Sequence, residues 1–266
     1  MMKPSESVKI QNSDGIVKSS SSRRRKSCVM RRTHSTPQPQ RDEAQRRHEV
    51  KLRANRTFCE AVKFDRELLE NVKGFLDPEE GMRLYDTALL AAGKGPCLEI
   101  GSYCGKSAIY LGTACREKNS ILFSIDHHRG SEEQQPGEEY FDPELFDFAS
   151  WRMNTLGNFR ITLDKAGLEE NVVPIVTRSD VAARMWSSPL NLVFIDGGHS
   201  YETALMDYNC WAGHIVPGGY LLIHDIFPDP ANGGQAPFLV YNHALESNLF
   251  KELPMTKTLG VLQRII

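Results

Sequence analysis

The sequence predicts an α/β fold in which helices cover both faces of a mostly parallel sheet. Segments made mainly of apolar residues alternate with helical patterns from residue 96 to residue 248. Such segments are typical of strands that are buried on both faces of a sheet, since a half-solvated sheet shows strict alternation instead. The last two apolar segments, 250–256 and 259–265, are joined by a short turn and predict an antiparallel pair that closes the sheet.

The composition is that of a globular protein. The chain has 266 residues, of which 40% are hydrophobic and 25% are charged, which excludes a chain that is disordered throughout. No apolar segment approaches the roughly 18 residues of a membrane span, and we expect neither a secretory signal nor a membrane partner. The six cysteines form no C-x-x-C pair, so we expect reduced thiols and a cytoplasmic protein.

The charge is divided unequally along the chain. Residues 1–56 hold 15 basic and 5 acidic residues, whereas residues 57–266 hold 17 and 29, and the net charge of −2 hides this asymmetry. Residues 1–40 are rich in Ser and Arg and poor in large apolar residues, which predicts a disordered basic arm. Two interpretations of this arm stay open. In the first it has no binding role, either as a solvated tail or as upstream sequence ahead of an internal start at Met30. In the second it binds nucleic acid or another anionic surface.

Residues 41–77 are predicted to form a helical extension, with a helix that runs to 73 and ends at Gly74, and residues 78–266 to form the main domain. A helix begins at Pro78, because proline is tolerated in a first turn, and ends at Gly93. The predicted strands of the parallel sheet are 96–100, 121–126, 172–177, 190–196 and 220–224. The helices between and after them are 106–118, 143–167, 179–187, 199–213 and 238–248.

The first strand leads into a turn with two glycines, Gly101 and Gly105, which let the backbone bend tightly and approach a ligand. An acid, Glu99, precedes the turn, and the turn matches neither G-x-G-x-x-G nor the phosphate-binding G-x-x-x-x-G-K-[ST] pattern. The second strand ends in Asp126, where a carboxylate can accept both hydroxyl groups of a ribose. In open α/β sheets ligands bind at this edge, so the edge is the expected site.

Four more titratable residues follow the fourth and fifth strands: Asp196, His199, His224 and Asp225. The carboxyl ends of parallel strands lie along one edge of a sheet, so we expect these four side chains around one cavity. Burying several polar groups without a role is costly, which favours a functional site over a structural one.

The ordered set of these motifs resembles the class I S-adenosylmethionine-dependent methyltransferases. The resemblance covers about residues 78–266 and is carried by Glu99-x-Gly101-x-x-x-Gly105, Asp126, Ser179-Asp180, Asp196-Gly197-Gly198-His199 and Pro217-Gly218-Gly219 with His224-Asp225. Within this family the sequence most resembles a bacterial group with D-G-x-H and P-G-G…H-D motifs, and this group is similar to the macrolide and catechol O-methyltransferases. It implies a Rossmann-like, doubly wound sheet of seven strands, mostly parallel with an antiparallel strand near the C-terminus.

The resemblance also implies the cofactor, S-adenosyl-L-methionine, and residues that bind it. Glu99, Gly101 and Gly105 would contact its methionine part, Asp126 its ribose and Asp180 its adenine amine. The full set of implied cofactor-binding residues is Glu99, Gly101, Ser102, Tyr103, Gly105, Lys106, Ser107, Asp126, His127, Ser179, Asp180 and Asp196.

Metal-dependent relatives bind Mg²⁺ through acids that match Asp196 and Asp225, and here His224 stands at the third position. Magnesium prefers oxygen ligands, so Mn²⁺ or Fe²⁺ suits a His/Asp set better. The predicted metal ligands are Asp196, His224 and Asp225, and the predicted catalytic residues are Asp196, His199 and His224. Without a metal, His199 or His224 is the expected base, and the rate should fall below the ordinary His pKa of about 6.5.

Two loops, 130–140 and 227–237, follow the second and fifth strands and are either lids over the site or ordinary surface loops. Their acidic and amide side chains favour a small polar acceptor over nucleic acid. The sequence therefore predicts O-methylation of a small molecule. A metal-dependent hydroxylase on the same fold and a non-catalytic cofactor-binding module are the alternatives, and a homo-oligomer stays open.

Overall fold

The sheet at the centre of the fold has seven strands, all but one of them parallel. The computed structural model describes residues 64–266. Its strands are β1 (Cys97–Ile100), β2 (Leu122–Ile125), β3 (Phe146–Asp147), β4 (Arg152–Met153), β5 (Val172–Ile175), β6 (Leu190–Ile195), β7 (Ile215–Ile223), β8 (Phe250–Thr256) and β9 (Leu259–Arg264). The sheet has the order β5-β2-β1-β6-β7-β9-β8, with β9 antiparallel to both neighbours, while β3 and β4 form a separate hairpin. The predicted doubly wound fold is confirmed.

Helices cover both faces of this sheet. They are α1 (Arg66–Asn71), α2 (Pro78–Ala92), α3 (Lys106–Glu117), α4 (Leu156–Ala166), α5 (Ser179–Ala183), α6 (Tyr201–Trp211) and α7 (Ala236–Glu246). Alternate residues of β6 belong to two separate buried clusters: Phe194 lies with residues of α2 to α4, and Val193 with residues of α6 and α7. This alternation is what a strand buried on both faces requires.

Residues 64–77 pack into the same core as the sheet. Phe64, Leu68, Val72 and Leu76 are buried among residues of α2 and α3. The predicted helix up to 73 is wrong at its end, because α1 stops at Asn71 and Val72 adopts an extended conformation. The rest of that predicted helix, 41–63, and the predicted arm, 1–40, lie outside the described residues.

The second helix begins as predicted, at Pro78, and its first turn is held by a reciprocal cap. The Asp77 carboxylate accepts a hydrogen bond from the Glu79 amide at 2.7 Å, and the Glu80 carboxylate reaches back to the Asp77 amide at 3.4 Å. This capping box fixes the position of Glu80 at the start of the helix, and its pattern does not reveal that Glu80 also contacts His224.

The single helix predicted over 143–167 is wrong. A short 3₁₀ turn and the hairpin β3–β4 occupy residues 143–153, and only α4 is helical. The Asp147 carboxylate accepts hydrogen bonds from the Ala149 amide at 2.9 Å and the Ser150 hydroxyl at 2.6 Å, and Trp151 has a φ of +55°. A side chain that bonds its own local backbone competes with the helix, which explains the turn.

The predicted strand 220–224 also changes, because Pro217 to Gly219 belong to one longer strand, β7. Its register with β6 shifts between Leu190 and Leu192, and Gly218 has a φ of +82°.

No helix within residues 64–266 is both long and apolar enough to cross a membrane.

Candidate active site

A cavity of about 660 Å³ opens at the carboxyl ends of β1, β2, β5, β6 and β7. Its volume lies within the range of about 300–1,000 Å³ that small-molecule sites have. The predicted site residues that line it are Gly101, Ser102, Tyr103, Lys106, Ser107, Asp126, His127, Ser179, Asp196, His199, His224 and Asp225. The structure therefore brings most of the predicted set together at the expected edge, and Glu99, Gly105 and Asp180 are not among the lining residues.

Glu99 lies beneath the cavity rather than in its wall. Its side chain is fully buried, and its two carboxylate oxygens accept hydrogen bonds from the Ser107 hydroxyl at 2.8 Å and the Ser124 hydroxyl at 2.6 Å. Burial raises the pKa of Glu99 to about 7. Glu99 thus connects β1 to β2 and to the start of α3. Because its side chain does not line the cavity, the structure gives no support to its predicted contact with the cofactor.

The glycine turn is shaped by the approach of two strand ends. Gly101 has a φ of +85°, and a Cβ atom at this position would lie 2.0 Å from the Asp196 carbonyl oxygen. Gly105 has a φ of +92° and faces Phe159 and Thr162 of α4. Gly101 is therefore required by the neighbouring backbone of β6, which the sequence did not reveal.

Replacing Gly101 with alanine is expected to destabilise the fold, because the new Cβ would overlap a backbone oxygen and a left-handed φ is strained for any L side chain. We expect the free energy of unfolding, measured by urea denaturation, to fall by at least the roughly 1–3 kcal/mol that a strained backbone conformation costs. Gly157→Ala is the matched control, because nothing lies within 4 Å of its Cβ position. Equal stability of both variants would contradict this explanation of Gly101.

Asp126 joins the end of β2 to the glycine turn. Its Oδ2 accepts hydrogen bonds from the Ser102 amide at 3.0 Å and the Tyr103 amide at 2.9 Å, and its Oδ1 accepts one from the His128 amide at 2.6 Å. Asp126 also lines the cavity. Oδ1 accepts only one hydrogen bond, so it can accept a second one from a ligand hydroxyl. Oδ2 at the same time holds the glycine turn in place.

The pair Ser179-Asp180 is divided by the fold. Ser179 lines the cavity and accepts a hydrogen bond from Trp211 Nε1 at 2.8 Å. The Asp180 carboxylate instead pairs with Arg178 at 2.9 Å and with Arg184 at 3.6 Å. The predicted contact of Asp180 with an adenine amine is therefore not supported by the position of this side chain.

His224 is clamped between carboxylates on both sides of its ring. Its Nε2 lies 3.0 Å from Glu80 Oε2, and its Nδ1 lies 3.1 Å from Asp196 Oδ1 and 3.5 Å from Asp225 Oδ2. Burial alone would lower the pKa of His224, but the carboxylates, Asp196 foremost, raise it far above its ordinary value. With a carboxylate beside each ring nitrogen, His224 offers no free nitrogen to an acceptor in this arrangement.

Glu80 is the site residue that sequence reasoning missed. It is 3% exposed, and its Oε1 accepts hydrogen bonds from the amide and the hydroxyl of Thr258 at 2.8 and 2.7 Å. Although burial would raise it, the bonds from His224 and Thr258 lower the pKa of Glu80 to about 2. Glu80 and His224 are 144 positions apart, so no local motif signals their contact.

His199 is the histidine that faces the cavity with partial exposure. Its Nδ1 lies 2.7 Å from Glu133 Oε2, and its Nε2 lies 3.1 Å from Asp225 Oδ2. The hydrogen bond to Asp225 is the main cause that raises the pKa of His199 to about 9, with burial acting in the opposite direction. Because Glu133 belongs to the loop 130–140, this loop contributes to the site.

Three of these residues are placed to hold one cation. Potential ligand atoms of Asp196, His199 and Asp225 all lie within 4.8 Å of one another. The predicted third ligand, His224, is not in this group, because its ring lies between Glu80 and Asp196, whereas His199 is part of the group. Two carboxylates and an imidazole fit Mn²⁺ or Fe²⁺, and Glu133 at the far nitrogen of His199 is the outer partner that ligating histidines usually have.

Residues 98–226, from β1 to the residue after Asp225, match a family model described as a methyltransferase domain. The match spans the glycine turn, Asp126 and the acid–histidine cluster. These residues therefore form a methyltransferase domain, and the fold described above is the methyltransferase fold. Both findings agree with the predicted resemblance to the class I S-adenosylmethionine-dependent methyltransferases.

Solved structures with this fold include three methyltransferases. The chain is similar to the O-methyltransferase TomG from Streptomyces achromogenes, solved with S-adenosylmethionine (15% identity, 80% of this chain and 96% of the other covered, TM-score 0.55). An O-methyltransferase from Bacillus cereus in complex with SAH is 12% identical, with 80% and 97% covered and a TM-score of 0.55. The O-methyltransferase NovP is 15% identical, with 71% and 79% covered and a TM-score of 0.54.

Proposed function

We propose that this methyltransferase transfers the methyl group of S-adenosylmethionine to a hydroxyl oxygen of a small polar acceptor. The observation that carries the proposal is that the acid–histidine cluster and the cofactor edge line one cavity, with His199 and Asp225 beside Asp196. The O-methyltransferases of the same fold support it. The loops 130–140 and 227–237 both line this cavity, through Glu133 and Tyr140 of one and Asn232 of the other.

The chain's own residues divide the work along the sheet edge. The turn from Gly101 to Gly105 would hold the methionine part, and Asp126 the ribose, so that the sulfonium methyl group lies toward β6. A sulfonium methyl group is already activated, so alignment and proton removal are what the enzyme must supply. An acceptor hydroxyl that takes the place of Asp225 at His199 Nε2 would give its proton to His199.

A divalent cation, when bound by Asp196, His199 and Asp225, would supply Lewis-acid stabilisation of the acceptor oxygen. Assays with added Mn²⁺, Mg²⁺ or Fe²⁺ and with a chelator decide whether the reaction needs the cation.

Cytoplasmic location stays a prediction that rests on the cysteine pattern, with Cys97, Cys104 and Cys115 buried as free thiols. That nucleic acid is not a substrate likewise stays a prediction, and a homo-oligomer stays open.

The experiment that tests the function starts from binding. Purified full-length protein is titrated with S-adenosylmethionine and S-adenosylhomocysteine by calorimetry, and binding of both is expected. The protein is then incubated with methyl-labelled cofactor and fractionated small molecules, and the labelled product is examined for an O-methyl group by NMR. Failure to bind at millimolar cofactor would refute the proposal, and a labelled N-methyl product would refute its O-directed part.

Asp126→Ala is expected to weaken cofactor binding by roughly 1.5–3 kcal/mol, the scale of hydrogen bonds that involve a charged group. The loss has two sources, because the carboxylate also holds the Ser102 and Tyr103 amides in place. Calorimetric titration measures the binding, and thermal unfolding reports the loosened turn. Asp164→Ala on the exposed side of α4 is the control. An unchanged dissociation constant would show that Asp126 serves the fold alone.

A further inference from the structure

We infer that the acceptor carries its hydroxyl group on an aromatic ring, and that this ring lies against Phe75 and Tyr140 in the cavity wall. The inference rests on the proposed function and narrows its small polar acceptor to an aromatic hydroxyl compound. Phe75 precedes residues 98–226, which match the methyltransferase domain, so part of this surface is supplied by the chain outside that domain.

Three aromatic side chains of the cavity wall form one continuous surface, which we call the aromatic wall: Tyr103, Phe75 and Tyr140. The ring centroids of Phe75 and Tyr103 are 6.1 Å apart, and their planes differ by 32°. The ring of Tyr140 meets Phe75 edge-on, with the centroids 5.2 Å apart. Both distances lie in the range of about 4.5–7 Å that is typical of aromatic contacts, so Phe75 is the middle of the wall.

Phe75 is exposed although the chain directly before it is held in place. Its side chain is 66% exposed. The Lys73 ammonium group lies 2.6 Å from the Glu144 carboxylate, and Lys106 Nζ donates a hydrogen bond to the Gly74 carbonyl at 3.3 Å. A large apolar ring that a fixed segment presents to a cavity is the kind of surface that small-molecule sites use, since a bound ligand removes it from water.

One end of the aromatic wall adjoins the residue that would accept the proton. The Tyr140 amide donates a hydrogen bond to the Glu133 carbonyl at 3.0 Å, and the Glu133 carboxylate lies 2.7 Å from His199 Nδ1. Neighbouring carboxylates, Glu139 foremost and Asp225 among them, raise the pKa of Tyr140, so its hydroxyl group lies within electrostatic reach of the acid that faces His199. An acceptor hydroxyl at His199 therefore places the rest of the acceptor beside Tyr140.

The other end of the aromatic wall belongs to the glycine turn. The Tyr103 amide donates a hydrogen bond to Asp126 Oδ2 at 2.9 Å, so this end is fixed to the part of the site that would hold the cofactor. The acceptor oxygen must lie between the methyl group and the base. A molecule in that position has the middle of the wall, Phe75, beside it.

An aromatic ring fits this wall better than a saturated ring of the same size. Aromatic pairs gain an attraction between the face of one ring and the edge of the other, beyond the burial of apolar area that both kinds of ring provide. An aromatic hydroxyl group also has a pKa of about 10, as the Tyr side chain does, which lowers the demand on the base.

In the reaction the aromatic oxygen forms a bond to the methyl carbon while the bond between sulfur and that carbon breaks. The electron pair of the broken bond returns to sulfur, which leaves S-adenosylhomocysteine, and the hydroxyl proton passes to His199.

The test compares two probes, 2-naphthol and decahydro-2-naphthol, which differ only in the saturation of their rings. Their dissociation constants are measured by calorimetry on the full-length protein saturated with S-adenosylhomocysteine. Wild type should bind 2-naphthol about 5- to 50-fold more tightly, as two aromatic contacts of the usual strength supply together. The saturated compound is at least as apolar, so burial of apolar area alone would give no such preference.

The variants locate this preference on the aromatic wall. Phe75→Leu keeps an apolar side chain without a ring and should lower the ratio by about threefold or more, and Phe75→Leu with Tyr140→Leu should bring it to within about twofold of one. Phe75→Tyr keeps the ring and should keep the ratio. Phe148→Leu is the matched control, because Phe148 is likewise 66% exposed but does not line the cavity.

A ratio of one or less in wild type, or no binding of 2-naphthol at millimolar concentration, would overturn the inference while cofactor binding itself stands. A wild-type ratio in the double variant, or a lost ratio in Phe148→Leu, would overturn it as well. Wild-type protein that does not bind S-adenosylhomocysteine would instead refute the proposed function, and the inference with it.

Discussion

Replacing His199 with alanine is expected to lower kcat by about 10²–10⁴-fold, the usual contribution of a positioned general base. His199 lies in the cavity wall with partial exposure, 3.1 Å from Asp225, whereas the other candidate base, His224, is 5% exposed and held between Glu80 and Asp196. Single-turnover measurements at saturating cofactor isolate the chemical step. His243→Ala is the control, since His243 is exposed on α7 and contacts Tyr208.

The pH dependence of the cation-free enzyme gives a second readout of the same residue. A base accepts a proton only when it is deprotonated, and the pKa of His199 is raised to about 9. The acceptor would displace Asp225, whose hydrogen bond is the main cause of this shift, so the pKa applies to kcat/KM for the acceptor, which reports the enzyme before the acceptor binds. This kcat/KM should increase with pH up to about 9 and level off above it, well above the pKa of about 6.5 that the sequence alone leads one to expect. Glu133→Gln removes one of the two carboxylates that raise this pKa and should move the profile to lower pH.

A profile that does not move in Glu133→Gln, together with a kcat for His199→Ala near that of wild type, would show that His199 does not take the proton. A rate that depends on added cation and is lost in Asp196→Ala, Asp225→Ala and His199→Ala alike would show instead that His199 is a ligand. The two roles are therefore distinguished by measurements on the same set of variants.

The fold could be predicted from sequence because its determinants are local. Apolar strands, glycine turns and the start of α2 at Pro78 are all encoded by neighbouring residues, and the strand ends carried the acids and histidines to one edge. The helix predicted over 143–167 failed for a reason of the same kind. The Asp147 side chain closes a turn with Ala149 and Ser150, and helical composition does not reveal this competition.

The parts of the site that the sequence did not predict depend on contacts between distant segments. Glu80 comes from α2, which precedes β1, and its partner His224 directly follows β7. Phe75 precedes α2 and Tyr140 follows β2, and only the fold brings their rings into contact in the cavity wall. Spacing along the chain carries no information on either point.

Breaking the buried pair of Glu80 and His224 is expected to be the most destabilising single change to an ion pair within residues 64–266. Removing one partner of a buried ion pair typically costs about 3–5 kcal/mol. Asp196 and Asp225 still face Nδ1 of the charged ring in this case, so the loss should lie at the lower end of that range. Glu80 and His224 are 3% and 5% exposed, and the pair joins α2 to the end of β7. We therefore expect Glu80→Gln to lower the free energy of unfolding by this amount at pH 6, measured by urea denaturation.

The pH dependence of that loss follows from the two shifted pKa values. The pKa of Glu80 falls from 4.5 to about 2 in the folded protein, so its contribution is present above pH 4.5 and is lost as the pH falls toward 2. The pKa of His224 is raised from 6.5, so its contribution is complete below pH 6.5 and declines as the pH rises above that value. The difference between wild type and Glu80→Gln should thus be largest between about pH 4.5 and 6.5.

The same pair positions the two acids of the active site, because the His224 ring that Glu80 holds through Nε2 contacts Asp196 and Asp225 through Nδ1. Glu70→Gln, on the exposed side of α1, is the stability control and should change the free energy of unfolding by less than about 0.5 kcal/mol. A double variant, Glu80→Gln with His224→Gln, should lose less stability than the two single variants added together, since neither charge is then left unpaired. Additive losses, or a Glu80→Gln variant as stable as wild type across this pH range, would show that the two side chains are not held together as an ion pair.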